Sequence, residues 1–426
     1  MHLTHRTTCR VCGSSALTPV VDLGSQHLQG AFVKPGYDAP PMRKIPLVLV
    51  RCDPMRDEHA CGLLQLSCSV PPEILYSTYW YRSGTNQTMR DHLREIVDEA
   101  VQMTRTDRPR VLDVGCNDGT LLSYYPSGYK AFGIDPSDAV DRVSEGVTVV
   151  RDSFPSEDLA QAAGRRPFDV ITSIAMFYDL EDPIGFVRAV KQSLAPGGFW
   201  IFEMSYMPSM LAMTSYDTIC HEHLEYYSLA VLEFILGRAG MKVFRTSLND
   251  INGGSIRCYA THEDNFEFDD LKWREGMSRL RREEFDLRLD TDTPYADFQD
   301  RVNKHKEELT GLVTGYKRDG KRVHVYGAST KGNTILQFCG IDSSLIECAA
   351  DRNPDKEGAR TIGTDIPIVS EEESRAMMPD YYLVLPWHFK EEFLARERAT
   401  LESGCAMIFP LPEVSVVTGS SFEAAG

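Results

Sequence analysis

The sequence is poor in the features that would send it to a membrane, a secretory route or a nucleic acid. No apolar run in its 426 residues approaches the ~18–20 needed to cross a bilayer, and the N-terminus lacks the charged-then-apolar order of a signal peptide. Positive charge is scarce as well: 45 Lys and Arg face 62 Asp and Glu, a net charge of -17. Affinity for phosphate backbones comes from clustered cations, so nucleic acid is not an expected partner. The 11 cysteines are scattered through a long chain, unlike the dense framework of a small disulfide-stapled domain. The expectation is a soluble cytoplasmic protein of two or three domains, because the chain is too long for one core.

What is present centres on Asp113-Val114-Gly115-Cys116-Asn117-Asp118-Gly119, directly behind the apolar strand Arg110-Val111-Leu112. Its glycines let backbone approach a ligand, and a helix expected from Thr120 onward would aim its first amides there. Gly-x-x-x-Gly with an acid two residues upstream is not the Gly-x-Gly-x-x-Gly of nicotinamide dinucleotide sites. A carboxylate at this point suits a sulfonium and an amino group better than a pyrophosphate. The next strand, Ala131-Phe132-Gly133-Ile134, ends at Asp135, 20 residues after Gly115, where an acid can accept both hydroxyls of a ribose. Phe168 to Ser173 reads as the fourth strand, and Leu194 to Glu203 as a helix end, a Pro-Gly-Gly turn and a fifth strand. Together these elements resemble a class I S-adenosylmethionine (SAM) methyltransferase over roughly residues 90 to 245. The cofactor-binding candidates are Asp113, Gly115, Asn117, Gly119 and Asp135.

Four cysteines near the N-terminus fall two and two. Cys9-Arg10-Val11-Cys12 is a knuckle, and Cys52 and Cys61 form a longer-looped pair about 40 residues later. Four thiolates make a tetrahedral, closed zinc site whose role is structural. Eight residues separate the second pair, so His59 or Cys68 could replace one member.

Further on, Tyr76, Tyr79, Trp80 and Tyr81 mix with Arg, Ser, Thr and Gly just before a helix that begins near Asn86. The stretch has no clean period and reads as a loop laid over a pocket, although aromatics are more often core. His221-Glu222-His223 follows the fifth strand, on the side where open α/β sheets bind ligands. It is not His-Glu-x-x-His, and it reads either as a helix cap or as a general acid/base cluster. Residues 262 to 320 are charge-rich and read as connecting helices with solvated faces. From Lys321 a second alternating unit begins, with strands at Arg322–Tyr326, Leu345–Ala350, Tyr381–Leu385 and Ala406–Phe409. Its Gly327-to-Gly332 turn lacks the Lys-Ser/Thr of a P-loop, yet with Lys331 inside it could hold a diphosphate.

In this order the parts resemble the nucleotide-sugar C-methyltransferases, the family of the TDP-sugar C-3 methyltransferases. The resemblance covers nearly the whole chain. It rests on the four cysteines, Tyr79-x-Tyr81-x-Ser83, the Asp113–Gly119 loop, Glu222-His223, Asn252-Gly253-Gly254-Ser255-Ile256-Arg257, and Tyr326-Gly327-Ala328 with Lys331. Phe338-Cys339-Gly340-Ile341, Asn353-Pro354-Asp355-Lys356 and Pro412-Glu413-Val414 complete it. It implies an α/β fold: a zinc-binding and substrate-contact domain at 1–85, a Rossmann-like methyltransferase domain at 86–258, a helical connector at 259–320 and a second Rossmann-like, substrate-binding domain at 321–426. It further implies SAM, a structural zinc ion and a nucleotide-linked keto-deoxysugar methylated at carbon, by a monomer or small homo-oligomer. His223 would be the base, Glu222 its partner, and Tyr79 or Tyr81 a donor to sugar or enolate oxygen. Asp179 stands where members acting at the 3-position tend to carry a His, and joins the catalytic set. Lys331, Gly327, Asn252 and Arg257 would contact the substrate. Cys220 replaces a Tyr often found before the acid/base knot, and with Asp179 it leaves the methylated carbon open. O- or N-methylation of a small molecule, a zinc-ribbon nucleic-acid binder and an NAD-dependent sugar epimerase or dehydrogenase are the competing readings.

Overall fold

The computed structural model describes residues 3–75, Trp80 and 82–420. Tyr79 and Tyr81 lie outside the described residues. The largest sheet has seven strands, in the order Met241–Asn249, Ser255–His262, Leu194–Ser205, Phe168–Ile174, Arg110–Val114, Lys130–Ile134 and Thr148–Val150. The last five are mutually parallel, and the two at the other edge run antiparallel. Arg110–Val114 is buried at every position, as a strand covered on both faces must be. The order reverses between Arg110–Val114 and Phe168–Ile174, which opens a crevice at their carboxyl ends. The antiparallel strand Ser255–His262 runs through position 258, where the methyltransferase domain was expected to end.

One expected element is absent. The glycine loop is not followed by a helix from Thr120 but by turns and a single 3-10 turn, Leu122–Tyr124. Pro126 explains this, because it pushes the preceding residue out of the helical region, and Tyr125 is extended (φ -67, ψ 139). No helix dipole therefore points from this loop at a ligand.

The N-terminal part is a four-stranded antiparallel sheet: Leu17–Gln26, Ile45–Cys52, Leu64–Leu66 and, from far along the chain, Glu225–Tyr226. Glu225 pairs with Gln65 and Tyr226 with Leu64, so the segment after His223 is a strand of the cysteine-bearing sheet. The C-terminal part is a six-stranded sheet in the order Ile368–Ser370, Ala349–Asp351, Val323–Tyr326, Tyr381–Val384, Ala406–Phe409 and Ser415–Val417. Its first five strands are parallel, the doubly wound pattern expected from Lys321. Arg360–Thr361 pairs with Phe32–Val33, which ties this part to the N-terminal one.

The charge-rich connector forms two helices, Leu271–Asp286 and Thr293–Arg318. The second buries Tyr295, Phe298, Val302, His305, Leu309 and Val313, an i, i+3/i+4 stripe that reaches the C-terminal core. The first is more than a solvated spacer, because Glu284 accepts from the Leu229 and Ala230 amides and from the Tyr206 hydroxyl. No described helix is long and apolar enough to cross a membrane.

Candidate functional site

The cysteines come together as a ligand set. The Sγ atoms of Cys9, Cys12, Cys52 and Cys61 all lie within 4.8 Å of one another. Cys9 to Cys61 is 3.6 Å and Cys12 to Cys52 is 3.4 Å. A tetrahedron with Zn–S of about 2.3 Å has edges of about 3.8 Å, close to the two short Sγ–Sγ distances, so the donor set suits zinc. The alternatives fall away: the His59 side chain is 88% exposed, and Cys68 packs on the Pro46 carbonyl at 3.3 Å. Among the described residues the set comprises these four thiols, a ligand number that suits a structural ion.

At the mouth of the seven-stranded sheet, Gly115 (φ 76) and Gly119 (φ 74) hold left-handed backbone, and Cβ atoms there would sit 3.1 Å from Met176 Cγ and 2.8 Å from Val143 Cγ1. Asn117 shares that conformation, donates its amide to Asp135 Oδ2 (3.0 Å) and accepts the Ser83 amide on Oδ1 (3.1 Å). The Gly84 amide bonds Asp118 at 2.9 Å, so the end of the tyrosine-rich stretch is pinned to this loop. Asp135 also accepts from the Ser137 amide and hydroxyl, which fixes its carboxylate at the strand end. Asp113 is buried and held by Thr172 Oγ1 at 2.6 Å, and burial pushes its carboxyl up to about 7. A cationic ligand would stabilise its ionised form. These residues fit SAM: Asp135 for the ribose, and Asp113 for a positively charged group.

Met176 links this loop to the His221-Glu222-His223 segment. Two residues on, the Tyr178 ring lies 4.2 Å from the His223 ring, and the Tyr178 carbonyl accepts the Leu224 amide at 2.8 Å. His223 Nδ1 donates to the Thr218 carbonyl at 2.7 Å, which leaves Nε2 as the acceptor nitrogen. A backbone carbonyl therefore orients the ring. Burial, then the charge of Lys331, depress His223 to about 3. Burial raises Glu222 to about 7, and its carboxylate lies against the Cα of Gly30. Asp179, in the 3-10 turn Phe177–Asp179, lies close enough to act electrostatically on Cys220 and Tyr226.

The substrate candidates divide. Lys331 is half-buried at the start of the helix Thr330–Cys339, and its ammonium reaches across to the Asn252 carbonyl at 2.7 Å. Asn252 (φ 57) begins a tight loop in which a Cβ on Gly253 would meet the Trp387 ring at 3.0 Å. Gly327 serves the close approach of Pro386, 2.6 Å from its hypothetical Cβ. The next amide, of Ala328, donates to Asp351 at 2.8 Å, so a carboxylate holds the donor that a diphosphate at this turn would need. Arg257 departs from expectation: its guanidinium is buried against Glu203 (2.7 Å), Glu95 (3.2 Å) and Glu99 (3.3 Å). Three carboxylates take its Nε and Nη1, and Nη2 faces His92 Nδ1 at 3.5 Å, so the group is held within the protein by its neighbours.

Several residues at the site carried no sequence motif. Gln29 Oε1 accepts from the His221 amide and Nδ1 at 3.2 and 2.8 Å. Trp387 Nε1 donates to the buried carboxylate of Asp217 at 2.9 Å. Trp387 and His388 follow the strand Tyr381–Val384, and the carboxyl-end rule could have flagged them.

Comparison with known proteins matches three families along the chain. They are a "Putative zinc binding domain" over residues 9–76, a "Methyltransferase domain" over 85–246 and a "C-methyltransferase C-terminal domain" over 250–412. C-methyltransferase NovU of Streptomyces niveus is 30% identical over 418 residues, 97% of each chain. A ubiquinone biosynthesis O-methyltransferase of Pseudomonas fluorescens is 30% identical over 136 residues, 30% of this chain and 57% of that one. Among solved structures, a SAM-dependent methyltransferase of Clostridium acetobutylicum overlays 41% of this chain and 92% of its own at 12% identity and a TM-score of 0.33.

Proposed function

The chain belongs to the C-methyltransferase family and is a SAM-dependent methyltransferase; we propose that it methylates the carbon beside the ketone of a nucleotide-linked keto-deoxysugar. The observation that carries this reading is the commitment of His223 Nδ1 to the Thr218 carbonyl, which presents Nε2 as a neutral base in a buried site. A proton beside a ketone leaves only when a base is in place and the enolate oxygen is stabilised. His223 Nε2 takes that proton, and the buried ammonium of Lys331 is the charge that faces the developing oxyanion. Asp179 and the phenols of Tyr79 and Tyr81 are proposed to hold the sugar. SAM, when bound, supplies an electrophilic methyl group, so that a C–C bond forms as the C–S electron pair returns to sulfur. Asp113, Gly115, Asn117, Gly119 and Asp135 hold the cofactor. The 1–85 and 321–426 parts, joined by the Phe32–Val33 pairing, enclose the nucleotide sugar over the 86–258 part.

A second assignment within this chemistry has its own support. A proton acceptor works best near the working pH, and Glu222 at about 7 meets that condition better than His223 at about 3. Incubation in D2O with a TDP-linked 4-keto-6-deoxyhexose, without SAM, tests the class. Deuterium at the carbon beside the ketone is expected from the wild-type enzyme, with loss of at least ~100-fold in His223→Ala. If no candidate keto sugar exchanges while methyl transfer to oxygen or nitrogen proceeds, the O- or N-methyl reading replaces this one.

A further inference from the structure

Between the strands Leu17–Gln26 and Phe32–Val33 runs a strap outside any sheet, in which His27, Leu28 and Gln29 are withdrawn from solvent, as is Gln26 at the strand end. A buried loop must satisfy its polar groups somewhere, and this one does so on two sides. On one side it meets the C-terminal helix Thr330–Cys339. Asn333 Nδ2 donates to the Gln29 carbonyl at 2.7 Å, and Gln337 exchanges bonds with the His27 amide (2.8 Å) and carbonyl (3.3 Å). That helix also carries Lys331. On the other side the strap meets the acid/base knot: Gln29 Oε1 accepts from the His221 backbone amide and Nδ1, while Gln29 Nε2 donates to Gln26 Oε1 at 2.9 Å. Next to it, a Cβ built on Gly30 would lie 1.7 Å from Glu222 Oε1 and 2.9 Å from Glu222 Cδ. The carboxylate occupies the space that any side chain at position 30 would fill. Gly30 does not hold left-handed backbone, so its lack of a side chain is needed for room and not for conformation.

We propose that Gly30 and Gln29 are positioning residues that seat the Glu222 carboxylate and the knot around it, fixed in turn by the helix that bears Lys331. The inference rests on the acid/base reading of the site.

Gly30→Ala is a selective probe, because the methyl group displaces the free end of one side chain without straining backbone. The experiment compares wild type, Gly30→Ala, Glu222→Gln and the double variant. It reads methyl transfer to the same TDP-linked keto sugar, SAM affinity, zinc content and the NMR titration of ¹³C-labelled glutamate carboxyls, with Glu222 assigned by its loss in Glu222→Gln. Gly30→Ala is expected to bind zinc and SAM as wild type does and to lose turnover to the level of Glu222→Gln. The double variant should fall no further, and the Glu222 titration should move from about 7 toward its ordinary 4.5. Wild-type turnover with an unmoved titration, or losses that add in the double variant, overturns the inference. A moved titration with full turnover in both single variants overturns the acid/base reading instead. Should Gly30→Ala not fold, Gln29→Leu keeps the glycine and removes the acceptor for His221 together with the donor to Gln26. It must shift the same titration and lower turnover, and wild-type behaviour there also overturns the inference.

Discussion

Arg10, between two of the clustered cysteines, lies with its Nε 3.8 Å from Glu225 Oε1, and neither side chain is exposed to solvent. Its other nitrogens bond Gln65 Oε1 (3.0 Å), the Leu66 carbonyl (2.9 Å) and Ser69 Oγ (2.6 Å), so the knuckle grips the strand that pairs with Glu225–Tyr226. Glu225 is two residues beyond His223. Both of its oxygens are buried, and Arg10 offsets that burial most, ahead of the Tyr227 hydroxyl and Arg6. Arg10→Met should therefore cost about 3–5 kcal/mol in urea unfolding, the range for breaking one side of a buried pair. A Glu225→Leu change made in addition should recover part of that loss. An Arg10→Met protein as stable as wild type would show that the pair does not hold the sheet.

The same connection predicts how the metal matters. One zinc per chain is expected by elemental analysis, on Cys9, Cys12, Cys52 and Cys61. Binding at such sites contributes about 10–16 kcal/mol, so Cys12→Ser should unfold the N-terminal sheet. Because Glu225–Tyr226 is a strand of that sheet, chelation should abolish turnover while the Asp113–Gly119 loop, built on a separate sheet, still binds SAM. Calorimetry on the chelated protein checks this, and loss of SAM affinity along with zinc would contradict it.

The parts of this structure legible in the sequence are those with a local cause. Asp113 to Gly119 and Asp135 follow from the backbone demands of a ligand loop, and Cys9 with Cys12 from the bite of a metal site. What was not legible depends on distant residues. The helix expected after Gly119 required looking ahead to Pro126. Arg257 looked available in a glycine-rich motif, but Glu95 and Glu99, on the helix Gln87–Met103, take its guanidinium. Gly30 and Gln29 sit in a stretch without periodicity, and their relation to Glu222 and His221 spans about 190 residues. No window of sequence contains it.

Asp135 gives a direct test of the cofactor site. Its carboxylate is already aligned by the Asn117 amide and by Ser137, with acceptor capacity to spare. Asp135→Ala removes a charged hydrogen-bond acceptor worth roughly 1.5–3 kcal/mol, so SAM affinity should fall at least ~tenfold by calorimetry. An unchanged affinity would place the ribose elsewhere.

The pH dependence separates the two possible proton acceptors. Burial raises Glu222 from 4.5 to about 7, whereas burial and Lys331 lower His223 from 6.5 to about 3. His223 is then neutral throughout the working range and gives no limb in a pH–rate profile there. If ionised Glu222 accepts the proton, kcat/KM should rise about tenfold per pH unit up to about 7 and then level off, and Glu222→Gln should lose both the limb and most of the rate. Stability carries the opposite sign. A carboxyl whose folded-state pKa is raised binds its proton more tightly in the folded protein, so its contribution is full below about 4.5 and is lost as pH rises through about 7. Between those values the unfolding free energy of wild type should fall by up to about 1.4 kcal/mol per pH unit relative to Glu222→Gln. Urea titrations at pH 5, 6 and 7 measure that difference. Parallel curves for the two proteins would mean that Glu222 ionises as an ordinary carboxylate, and the proton would then have to go to His223.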